Sequence, residues 1–127
     1  MKRLTREWVN KAEADFRAAC RLGEAGVRLH DQTCFHCQQS AEKYLKALLQ
    51  ELGLAIPRTH ILRDLVDLLL PQHAELTALG RGVKFLTRFA VETRYPGESA
   101  TRRQADAALR WAERVRIASR RLLGLRS

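Results

Sequence analysis

One stretch constrains the fold of this chain more than any other: Cys34-Phe35-His36-Cys37-Gln38-Gln39-Ser40-Ala41-Glu42-Lys43-Tyr44-Leu45-Lys46-Ala47-Leu48-Leu49. Phe35, Ala41, Leu45, Leu48 and Leu49 recur at steps of three and four residues, the spacing that gathers side chains on one side of an α-helix. Gln38, Gln39, Glu42, Lys43 and Lys46 line much of the rest. The periodicity predicts a helix from about Gln32 to Leu52, stopped by Gly53.

The other segments read the same way. A first helix is expected over Arg6 to Leu22, capped by Thr5, with Trp8, Ala12, Phe16, Ala19 and Cys20 as its apolar stripe and Gly23 as its stop. Glu24 to Asp31 is a connection, and Gly26 argues against a stiff continuation. Pro57 disfavours helix at Ile56, so the chain runs extended to Thr59, which can cap a short third helix ending near Leu70. A fourth helix is expected from about Gln72 to Glu92, weakened by Gly80 and Gly82 by about 1 kcal/mol each relative to Ala. Thr93 to Ser99, with Pro96-Gly97, is a turn. A fifth helix spans about Thr101 to Leu123. Ala105, Ala108, Leu109, Ala112, Val115 and Leu122 face inward, while Arg103, Arg110, Arg114 and Arg121 fall within roughly 40° on the opposite side. Trp111 lies between the two faces, where it could meet a partner. No segment has the period-two alternation of a strand. The expectation is an all-α, antiparallel up-and-down bundle of four long helices plus one short helix.

Composition agrees and narrows the function. With 127 residues the chain suits one domain, and 46% hydrophobic with 6% aromatic residues implies a core of Leu, Ala and Val. No apolar run approaches the roughly 20 residues of a membrane span. The basic N-terminus lacks the apolar core of a signal peptide, so a cytoplasmic location is expected. Cys20, Cys34 and Cys37 are an odd number of cysteines, which argues for reduced thiols. Cys34 and Cys37, near His30 and His36, could hold a metal. Without a second such pair, the reading preferred here is two small helix residues, with no metal and no cofactor. Of the net charge of +9, residues 102–126 supply +6, from eight arginines against Asp106 and Glu113. That stripe is either a phosphate-attracting surface or a solvated helix face.

Three motifs, in order, carry a family likeness. Phe35 through Leu49 resembles the central helix of HEPN domains (higher eukaryotes and prokaryotes nucleotide-binding). Pro57-Arg58-Thr59-His60-Ile61-Leu62, followed by the apolar run Leu65 to Leu70, resembles the Thr-His segment of that family, and Thr93-Arg94-Tyr95-Pro96 resembles its turn before the last helix. The resemblance implies a helical bundle, commonly a homodimer, that binds nucleotide or RNA. It also implies a partnership with a separately encoded minimal nucleotidyltransferase, sometimes as a toxin–antitoxin pair.

Many HEPN proteins resemble metal-independent ribonucleases, with an arginine followed after four to six residues by a histidine. The chemistry needs both: histidine moves a proton near neutral pH, and arginine holds the phosphate as charge builds. Arg94 stands where the arginine belongs, but positions 99, 100 and 101 are Ser99, Ala100 and Thr101. His60 and Arg94 are therefore the remaining catalytic candidates, and a non-catalytic binding role is the expectation. The candidate phosphate-binding residues are Gln38, Gln39, Glu42, Lys43, Lys46, Arg58, His60, Arg94 and Tyr95. Each has a second reading. His60 could act as a neutral donor to phosphate, or it could cap the third helix or bond a buried polar group of the central helix. Tyr95 could stack on a base or anchor its turn against the bundle, with Arg94 paired to Glu92 or Glu98. Glu42 and Lys46 could line a cleft, form a surface i,i+4 pair, or belong to a buried network.

Overall fold

In a computed structural model, which describes residues 1–27 and 29–127, the central stretch lies inside the molecule and the other helices pack around it. Among the described residues there are five α-helices: α1 Arg3–Leu22, α2 His30–Glu51, α3 Leu62–Leu69, α4 Gly80–Thr87 and α5 Arg102–Leu122. No strand occurs among the described residues, so the all-helical expectation holds. The expected connection from Glu24 to Asp31 is a turn-rich segment over 23–27, α2 already begins at His30, and Arg28 lies outside the described residues.

The core explains why α2 is so apolar. Cys34, Cys37, Ala41, Tyr44, Leu45, Leu48 and Leu49 are buried between α1, α3 and α5, against Val9, Ala12, Leu62, Leu65, Leu69, Ala108, Ala112 and Val115. α2 ends as predicted at Gly53. The amide of Gly53 donates to Gln50 at 3.1 Å and that of Leu54 to Leu49 at 3.0 Å, while Gly53 takes φ +71°, a left-handed conformation that glycine adopts without a Cβ penalty.

The fourth stretch is helical but segmented. A 3₁₀ turn over Ala74–Leu79 leads into α4, and two further 3₁₀ turns, Arg88–Ala90 and Glu92–Arg94, carry the chain toward α5. Gly82 has a second role here beyond its helix cost. A Cβ on Gly82 would lie 2.0 Å from the Trp111 ring, so the absent side chain is what lets α4 meet α5. Trp111 is thus partly buried against the core, with the Arg114 guanidinium 4.4 Å from its ring centroid, which agrees with its expected place between the apolar face and the arginine stripe.

Several local expectations change. Thr5 does not cap α1; the helix begins at Arg3 with Lys2 before it, and Thr5 is buried inside. Cys20 leaves the apolar stripe for solvent. Thr59 does not cap α3, because the residue at that position is Ile61, whose amide donates to the Thr59 hydroxyl at 3.1 Å. Burial pushes the Cys34 thiol up to about 12 and raises Cys37 as well. Both therefore sit as neutral core groups.

Candidate functional site

Phe35, Gln38, Gln39, Glu42 and Lys46 are spaced three, four, seven and eleven residues apart, and so share one face of α2. Two loops close over that face at points seven residues apart, about 10 Å along the axis. The segment before α3 brings His60 over Glu42, and the turn before α5 brings Arg94 over Phe35.

At the first point Glu42 is the hub. Its side chain is 7% exposed, and it accepts from Gln38 Nε2 at 3.1 Å, Lys46 Nζ at 2.9 Å and His60 Nδ1 at 2.9 Å. Gln38 Nε2 also reaches the His60 carbonyl at 3.2 Å, and Gln39 donates to Gln38 Oε1 at 2.7 Å. Burial alone would raise the Glu42 carboxyl. The hydrogen bonds from His60, Lys46 and Gln38 outweigh it and hold the group below the ordinary range. Of the three readings open for Glu42 and Lys46, the buried network is the one observed.

This geometry decides the histidine tautomer. An ionised Glu42 can only accept, so Nδ1 of His60 carries a proton. Neutral His60 then presents an unprotonated Nε2 to solvent, from a side chain 64% exposed. Of the readings open for His60, the bond to a buried polar group of the central helix is the one observed. Nor are all the α3 amides open to an anion, since that of Leu62 donates to Thr87 Oγ1 at 3.1 Å. Arg58, two residues before His60, is exposed and forms no hydrogen bond or ion pair among the described residues.

At the second point Arg94 is exposed. Its guanidinium lies 5.7 Å from the Phe35 ring centroid, and among the described residues it makes no salt bridge with Glu92 or Glu98, so the paired arrangement, one of the two readings open for Arg94, is not the one observed. Tyr95 is 62% exposed, so its ring does not anchor the turn. An open cleft of about 410 Å³ runs between Arg94, Thr93, Phe35, Gln32 and Asp31. Asp31 uses one oxygen to accept the Ala100 amide at 2.6 Å. The three positions where a histidine would complete the ribonuclease spacing do other things. Ser99 is exposed and Ala100 is buried. Thr101 caps α5, accepting from Gln104 N at 3.0 Å while its own amide donates to Gln104 Oε1 at 2.9 Å.

Lys43 is not on this strip. It donates to Asp15, which also lies 2.8 Å from His36 Nδ1, so Lys43 ties α2 to α1. A second tie, beyond the sequence-predicted set, joins three helices. Glu13 accepts the Tyr44 hydroxyl and both Nε (2.8 Å) and Nη2 (3.0 Å) of Arg116, and Arg120 reaches Tyr44 at 3.2 Å. Glu13 and Asp15 flank the apolar stripe of α1, and acids beside such a stripe are the signal that could have found them. Among the described residues, no group of three or more His, Cys, Asp or Glu side chains could hold a metal.

The family model described as HEPN domain matches residues 5–122, so the chain belongs to the HEPN domain family. Two solved structures are similar. The protein TT1696 from Thermus thermophilus superposes with a TM-score of 0.82 at 27% identity, covering 92% of this chain and 96% of its own. ST0689, described as an archaeal HEPN homologue, has a TM-score of 0.73 at 28% identity, covering 97% and 99%. No curated protein matches the chain. No described helix is long and apolar enough to cross a membrane.

Proposed function

We infer that this chain is a non-catalytic HEPN protein that binds nucleotide or RNA phosphate. In this reading residues 1–127 act as one cytoplasmic domain, as a homodimer, with a separately encoded minimal nucleotidyltransferase as partner in a toxin–antitoxin-like pair. The observation that carries the phosphate reading is Arg94. It stands without an acidic partner among the described residues, at the rim of an open cleft and beside the exposed Tyr95. A guanidinium so placed offers charge-assisted donors to a phosphate, and a free tyrosine ring offers a stacking surface to a base. Gln39 and the His60–Glu42 pair continue the polar face along α2.

Non-catalysis is supported by Ser99, Ala100 and Thr101, none of which is the histidine that the ribonuclease spacing from Arg94 requires; Ala100 is buried and Thr101 is engaged as a helix cap. One observation favours a ribonuclease as second reading: His60 is oriented by a carboxylate with Nε2 free, the arrangement of a general base. About two turns of α2 separate it from Arg94, which weighs against both acting on one phosphate. Labelled single-stranded RNA, followed by anisotropy at two salt concentrations and then by gel, tests both readings. The binding reading expects salt-sensitive binding of intact RNA, reduced in Arg94→Ala. RNA shortening that disappears in His60→Ala would return the enzyme reading, and no binding at either salt would overturn both.

A further inference from the structure

Arg103, Arg110, Arg114 and Arg121 lie along the outer side of α5, within roughly 40° of arc and about 27 Å of helix axis. All four are exposed, and none makes a salt bridge among the described residues. The neighbouring acids lie toward α1. Glu24 and Glu113 border the hollow between α1 and α5, whose rim Arg110 and Arg114 share, and Asp106 borders a smaller one with Glu24 and His30. Glu113 is engaged by Arg116 at 3.9 Å. Asp106, three residues from Arg103 and four from Arg110, pairs with neither. On the side away from these acids, α4 meets α5 where Gly82 packs on Trp111. Beside that contact Arg81 and Lys84 are exposed on α4, also without a salt bridge among the described residues. The positive charge therefore forms a line along α5 that continues toward α4, and not a pocket.

We propose that this face binds the backbone of a double-stranded nucleic acid, at a surface separate from the Arg94 cleft. A straight row of guanidiniums about 27 Å long suits a stiff rod that carries a phosphate charge about every 1.7 Å of its axis. Such arginines reach phosphates without entering a groove, so the face reads helical shape and not sequence. Other polyanions fit less well. A single strand needs open rings for its bases, and the ring beside the stripe, Trp111, has Arg114 on one side and Gly82 against it. An anionic membrane or an acidic helix needs an apolar seam among the cations. Among the described residues of α5, Ile117 is the one large apolar side chain exposed.

The test uses fluorescein-labelled RNA and DNA duplexes of about 16 base pairs, with single-stranded RNA of the same length, titrated with the full chain by anisotropy at several salt concentrations. At least one duplex should bind, more weakly as salt rises, and the tighter of the two names the source of the backbone. Arg103→Gln with Arg110→Gln and Arg121→Gln should weaken that duplex about tenfold or more at low salt. It should also flatten the slope of log K against log salt by about 2–3, at roughly 0.9 per lost contact. Arg94→Ala should leave duplex binding in place, which separates this surface from the cleft, and in that variant the duplex should bind more tightly than the single strand. Arg81→Gln with Lys84→Gln should weaken the duplex too, and it decides the matter should the triple variant fail to fold by circular dichroism. Binding of neither duplex at low salt, unchanged duplex affinity in the deciding variant, tighter binding of the single strand by Arg94→Ala, or loss of duplex binding in Arg94→Ala would overturn the proposal.

Discussion

His60 Nδ1 meets Glu42 Oε1 at 2.9 Å, an exposed imidazole fastened to a carboxylate that is almost wholly buried. The contact pins the segment before α3 to the central helix. It also offsets the desolvation of Glu42, which Lys46 and Gln38 help to satisfy.

Removing that hub should be costly. Glu42→Ala leaves Lys46, a side chain only 10% exposed, without its partner. A loss of about 3–5 kcal/mol is expected in urea unfolding. An unchanged midpoint would show that the network holds nothing.

Acid should expose the same group. The Glu42 and Glu13 carboxyls are both held below the ordinary carboxylate range in the fold; burial opposes this, and the hydrogen bonds outweigh it. The unfolded chain therefore takes up their protons first. Their contribution is present above about pH 4.3 and is lost as pH falls through their lower native values. Melting temperature should drop across that window, and drop less steeply in Glu42→Ala.

Gly82→Ala would place a methyl group 2.0 Å from the Trp111 ring. Although alanine favours helix, overpacking should dominate and destabilise the protein by about 1–3 kcal/mol. Pairing it with Trp111→Leu should recover part of the loss in thermal denaturation, and no recovery would place the cost elsewhere.

The three positions at the incomplete ribonuclease spacing should respond differently to histidine. Ser99→His is at an exposed site and should leave stability within about 0.5 kcal/mol. Thr101→His removes the capping box of α5 and should cost about 1 kcal/mol. Denaturant titration of both variants distinguishes the cap from the surface position.

Thiol reactivity offers a simple check of burial. With Cys34 and Cys37 in the core and their thiols raised, Ellman's reagent should titrate Cys20 alone in the folded chain, and all three in guanidinium.

Much of this was legible in the residues. The three- and four-residue steps in α2, the break at Gly53 and the inward alanines of α5 follow from local periodicity and glycine backbone freedom, so they determine a helical bundle without reference to distant contacts. The motifs around Phe35, His60 and Arg94 likewise led to the HEPN family, which the match over residues 5–122 establishes. What the sequence could not decide was the partner each polar group would find. Gln38, Glu42 and Lys46 fit a cleft, a surface pair or a buried network equally until the segment carrying His60 is laid over them. Gly82 looks like a weak point until Trp111, 29 residues away in sequence, packs against it. Lys43 looks like a ligand for phosphate until Asp15 on α1 takes it. Periodicity is a property of neighbours a few residues apart, whereas desolvation, hydrogen-bond satisfaction and close packing depend on groups that only the tertiary fold brings together.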